Sequence, residues 1–141
     1  MNFPILSAII FIPLIGALFI FFNRGPVKTE EKNSKYVAIF SSVANLLLAL
    51  FLWYSFDNST SDFQFIEEKN WIKGMINFQL GIDGISVLFI LLTTFIAPIC
   101  IFSGIQSIKF KIKEFLIAIL VMETFMLGVF CSLDLVIFYL F

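Results

Sequence analysis

The chain has 141 residues, of which 60% are hydrophobic and 13% charged, with nine Lys and Arg against ten Asp and Glu. Soluble domains run about 45–50% apolar and about 25% charged, so this composition excludes an ordinary soluble core. The formal net charge of −1 argues against a nucleic-acid binder, which needs a basic face, and the absence of His removes the commonest metal ligand and the neutral-pH base.

A bilayer core of about 30 Å takes roughly 20 apolar residues in a helix. Residues 3–22 carry no charge and satisfy that length. Only Met1 and Asn2 precede them, so the basic leader of a signal peptide is missing and the segment is expected to stay. Residues 36–56 form a second span, with Tyr36, Trp53 and Tyr54 placed like interface anchors. Residues 85–104 form a third and residues 115–133 a fourth, the latter interrupted by Glu123. A fifth begins near residue 135. Pro13 and Pro98 lie inside the first and third spans, where proline is tolerated and shapes the helix. The predicted fold class is all-α: a polytopic transmembrane helix bundle of four spans plus the start of a fifth.

The connecting segments set an orientation. Arg24, Lys28, Lys32 and Lys35 lie in the first, and Lys109, Lys111 and Lys113 in the third. The 57–84 segment between them holds Lys69 and Lys73 against Asp57, Asp62, Glu67, Glu68 and Asp83. Cytoplasmic loops carry the Lys/Arg excess, so seven of the nine basic residues fall inside if the N-terminus lies outside. The 57–84 segment then faces the outer compartment.

No phosphate-binding loop, C-x-x-C pair or Ser/His/Asp set is present, so no catalytic, cofactor-binding or metal-binding residue is assigned. Cys100 and Cys131 sit in apolar runs without disulfide or ligand spacing, and read as small buried hydrophobes.

Two segments are more specific than hydropathy. In "FQLGIDGISVLFILLTT", residues 78–94, a Gly-Ile-Asp-Gly turn leads directly into a span, and Asp83 can cap that helix through backbone N–H groups. In "METFMLGVFCSLDLVIFYLF", residues 122–141, a span ends at Ser-Leu-Asp and an aromatic-rich span begins at once.

These residues resemble the chain M family (subunit 4, antiporter-like) of the proton-pumping NADH–quinone oxidoreductase, respiratory complex I. The likeness extends over essentially the whole chain and is sharp over 78–141. It implies the N-terminal part of one antiporter-like membrane domain, expected to take part in proton translocation coupled to NADH oxidation and quinone reduction. NAD, FMN, iron–sulfur clusters and quinone would sit on other subunits, and the implied partners are antiporter-like chains of the L and N type. The implied location is a bacterial inner membrane, in preference to the mitochondrial one. In that family the principal membrane Glu follows the aromatic run in the pattern F-[FW]-E, and the membrane Lys residues lie on later helices. Here the aromatic run ends at Phe141, so the family's Glu is not Glu123, and the chain reads as an N-terminal fragment. The looser Asp-Gly pattern also occurs in Na⁺/H⁺ antiporter subunits, the alternative reading; a small multi-span assembly protein is the third.

Glu123 is the conspicuous residue. A carboxylate at mid-helix costs about 2.5–3.5 kcal/mol on insertion scales, and is tolerated facing protein or water. At helical spacing it shares a face with Ile119, Leu120, Leu127, Phe130 and, roughly 16 Å further along, Asp134. That stripe is expected to point into the bundle, with Thr124 and Gly128 permitting a close neighbour. Glu123 and Asp134 are thus candidates for a proton path or for buried polar contacts between helices.

Overall fold

The computed structural model describes residues 4–141, apart from the side chains of Trp71 and Ile72. Among the described residues four helices are long and apolar enough to cross a membrane: α1 (Ile5–Phe22), α2 (Val27–Ser55), α3 (Gly84–Ser107) and α4 (Ile112–Cys131). A short helix α5 (Leu135–Leu140) follows. Between α2 and α3 lies an antiparallel hairpin of β1 (Gln64–Ile72) and β2 (Ile76–Ile82). The chain is a polytopic helical bundle with this small two-stranded sheet attached to one end.

The helices pack as a ring. α1 and α3 each touch both α2 and α4, and α2 also meets α4 across the middle. Small residues set two of these approaches. A Cβ at Gly16 would collide with the side chain of Ser41, and one at Gly104 would enter the ring of Phe115. Close approach of this kind gains van der Waals contact where lipid offers no hydrophobic drive between helices. Both Pro13 and Pro98 lie inside helices that run on past them.

Helix boundaries depart from the sequence expectation in an instructive way. α2 begins at Val27, nine residues ahead of the expected 36, so the basic connection is largely helical. At 1.5 Å per residue its 29 residues run to about 43 Å, longer than a bilayer core. Its charged first turns are the part in excess of that length. α4 ends at Cys131, two residues before the expected 133, because Ser132 adopts extended backbone and pairs with Leu80 of the hairpin. The expected start of the first span at Phe3 lies outside the described residues.

The hairpin is not legible in the sequence because its alternation is broken. Register shifts separate Gln64 from Glu67 and Asn70 from Ile72, and Phe65 takes a positive φ of 55°. A bulge puts an extra residue on one strand, and the period-two pattern slips with it. Gly74, at φ +85°, makes the turn that a side-chain-bearing residue would resist. Leu80 and Ile82 are fully buried. The Leu133 backbone N–H donates to the Gln79 carbonyl at 3.0 Å, tying the sheet to the α4–α5 junction.

Candidate functional site

The bundle interior has two apolar clusters. One, at the hairpin end, includes Ile10, Leu52, Ile90 and Leu127. The other, towards the basic connections, includes Ala17, Ala38, Ile101 and Leu120. Between them on three of the helices lie buried polar residues: Ser41, Ser42 and Asn45 on α2, Thr93 and Thr94 on α3, Glu123 and Thr124 on α4. A polar layer therefore crosses the bundle between two greasy halves.

At its centre, where α2 meets α4, Asn45 Nδ2 donates to Glu123 Oε1 at 2.9 Å. Asn45 is 0% and Glu123 2% exposed. The second oxygen of each, Asn45 Oδ1 and Glu123 Oε2, is buried with no hydrogen-bond partner among the described residues. The neighbouring hydroxyls spend their donors on their own helices. Ser42 donates to the Ile39 carbonyl at 3.0 Å, Thr94 to Ile90 at 2.9 Å, and Thr124 to Leu120 at 3.1 Å. On its other flank Glu123 lines a cavity of about 190 Å³ between α3 and α4, together with Phe89, Thr93, Cys100 and Met126.

The inward stripe of α4 is partly as drawn from the sequence. Leu120 and Leu127 are buried beside Glu123, while Ile119 and Phe130 are half-buried, and Phe130 stacks on Phe89 with centroids 5.2 Å apart. Asp134 does not continue the stripe. α4 has already ended, and Asp134 instead caps α5, accepting from the Val136 N–H at 2.8 Å. Gly128 meets the Phe141 ring, where a Cβ would come within 2.5 Å. Asp83 stands at the head of α3 and accepts from the Ser86 N–H at 2.8 Å. That backbone donor, with the Ser86 side chain, holds the Asp83 carboxyl below its ordinary 3.8.

Two functional-looking residues escaped the sequence reading. Asn45 was hidden in a span that passed on hydropathy; an amide within an uncharged apolar run was the available signal. Glu67 reads in the sequence only as loop charge. In the structure it reaches across to α1, whose N-cap Pro4 offers no side-chain acceptor. Glu67 accepts from the backbone N–H groups of Leu6 at 2.8 Å and Ser7 at 3.2 Å, and from the Ser7 hydroxyl. At the opposite end Lys113 donates to the Asn23 carbonyl at 2.8 Å and pairs with Glu30. Among the described residues no group of three His, Cys, Asp or Glu is placed to hold a metal ion.

No protein-family model matches the chain. It is 44% identical over 137 residues to NADH-ubiquinone oxidoreductase chain 4 of Marchantia polymorpha, the match covering 96% of this chain and 27% of that protein. Against NADH-quinone oxidoreductase subunit M of Rhodobacter capsulatus the identity is 43% over 138 residues, covering 97% and 27%. Against subunit M of Rickettsia bellii (strain RML369-C) it is 38% over 144 residues, covering 100% and 29%. The chain spans less than a third of the length of these curated relatives. Along nearly all of its residues this membrane bundle is similar to NADH-quinone oxidoreductase subunit M, the chain 4 of the ubiquinone enzymes, and it matches the N-terminal part of that protein.

Proposed function

We propose that the chain serves in the membrane arm of a proton-pumping NADH–quinone oxidoreductase, taking part in proton translocation coupled to NADH oxidation and quinone reduction. The observation that carries this is the 38–44% identity along nearly the full chain to proteins named for that enzyme. The fold agrees in kind: helices for a bilayer, and a carboxylate buried where the helices meet.

In this reading the redox groups, NAD, FMN, iron–sulfur clusters and quinone, belong to other subunits. Antiporter-like chains of the L and N type are its neighbours. The exposed apolar residues on the helix exteriors, such as Phe19, Phe40 and Phe95, suit lipid or adjoining membrane chains. The hairpin end is assigned to the outer face and the basic connections to the inner face of a bacterial cell membrane. The charge asymmetry supports that choice, since Lys69 and Lys73 are the only cations between Lys35 and Lys109.

The test uses the chain tagged in its own membranes. It should migrate on native gels with an assembly that oxidises NADH, and its deletion should abolish NADH-driven proton pumping. Intact pumping after deletion, with loss of Na⁺/H⁺ exchange instead, would move the chain to an antiporter complex.

A further inference from the structure

The two orphan oxygens of the central pair are complementary. An ionised Glu123 is purely an acceptor, and Asn45 Oδ1 is an acceptor too. With Asn45 Nδ2 already committed to Oε1, an ionised pair leaves two buried acceptors facing no donor. The hydroxyls of Ser42, Thr94 and Thr124 supply none, each being turned to its own helix. Burying an unpaired charge is far costlier than burying a hydrogen-bonded neutral group.

Among the described residues no cation offers relief. α1 has no titratable side chain. On α2 the nearest cation is Lys35, ten residues and about 15 Å of rise from Asn45. On α3 the titratable neighbour is Cys100, which lines the cavity beside Glu123. On α4 itself Lys113 is engaged with Asn23 and Glu30.

One proton resolves every orphan. We propose that Glu123 is held as the neutral carboxylic acid, its Oε2–H donated to Asn45 Oδ1 while Asn45 Nδ2 donates to Oε1. Asn45 is then the positioning residue of a closed acid–amide pair that fastens α2 to α4 and stores one proton in the polar layer. This stands independently of which complex the chain serves.

The experiment is infrared difference spectroscopy on the assembled protein in lipid nanodiscs at neutral pH, wild type against Glu123→Gln. The expected difference is the loss of one carboxylic-acid carbonyl band that shifts in D₂O, with the carboxylate bands unchanged. Asn45→Leu should leave that band present but moved to the frequency of a more weakly bonded acid. Should the Gln variant fail to accumulate, Glu123→Asp in protein labelled with ¹³C-glutamate gives the same reading, as the loss of one isotope-shifted acid band. Loss of carboxylate bands with no acid band, the signature of an ionised Glu123 bridged to Asn45 by water, would overturn the proposal. This readout needs no NADH and no proton flux, so it can fail while the functional reading survives, or survive when that reading fails.

Discussion

Asn45 and Glu123, 78 residues apart in the chain, meet at 2.9 Å in the centre of the bundle. Substitutions at Glu123 should therefore split by hydrogen-bonding capacity. Glu123→Gln can accept from Asn45 Nδ2 and donate to Asn45 Oδ1, so it should assemble normally. Glu123→Ala strands the Asn45 amide in a buried site, at about 1–3 kcal/mol, and should lower the amount of assembled complex on native gels. Under the proposed function, proton pumping per NADH oxidised, measured in the same membranes, then reads the chemistry. Normal assembly with pumping at least halved in the Gln variant places Glu123 on the proton path. Unchanged pumping makes it a helix fastener.

Glu67 supplies the helix cap that Pro4 cannot. A carboxylate at a helix N-terminus satisfies free N–H groups and meets the positive end of the helix dipole. Glu67→Ala should destabilise the hairpin–α1 contact by about 1–2 kcal/mol, and Glu67→Gln by less. Denaturation in increasing SDS and protease cleavage within 57–84 would report it. Equal protection in wild type and Ala variant would show that Leu80 and Ile82 alone hold the hairpin down.

Asp83 gives a pH signature. Its carboxyl is held below the ordinary 3.8 by the Ser86 N–H. A depressed folded-state value means stability that is complete above the unfolded value and lost as pH falls through the lower, folded one. Hydrogen-exchange protection of the Ser86 amide should hold from neutral pH down to near 3.8 and decline below it. Asp83→Asn, which caps without titrating, should remove that decline. The same acid loss in the Asn variant would assign it elsewhere.

Lys113 joins three elements at the basic end: the end of α1 through the Asn23 carbonyl, α2 through Glu30, and its own α4. Its side chain and that of Glu30 are 23% and 22% exposed, so the ion pair is screened. A double-mutant cycle of Lys113→Met with Glu30→Gln should give a coupling of no more than about 1 kcal/mol. Lys113→Met should cost more than Glu30→Gln, because it also abandons the Asn23 carbonyl.

Orientation is checked by introducing cysteines at Lys69 and Lys111 in a background without Cys100 and Cys131. In right-side-out vesicles an impermeant thiol reagent should label position 69 and spare position 111. The opposite pattern would invert the assignment of the hairpin to the outer face.

The sequence by itself determined the spans, the segregation of Lys and Arg, and the helix entry at Asp83. Each is a local property: hydropathy sums over adjacent residues, loop charge is a count, and a cap such as Asp83 to Ser86 closes over three positions. It also marked Glu123, because a lone carboxylate in an apolar run stands out. Tertiary structure decided what those residues do. The Asn45 amide is the partner of Glu123, and the Glu67 carboxylate that of α1, only because distant segments pack together, and no periodicity records such a pairing. The hairpin was hidden for a related reason. Its bulges cancel the alternation that a regular strand shows, and its buried Leu80 and Ile82 find their cover on the ends of helices far away in the chain.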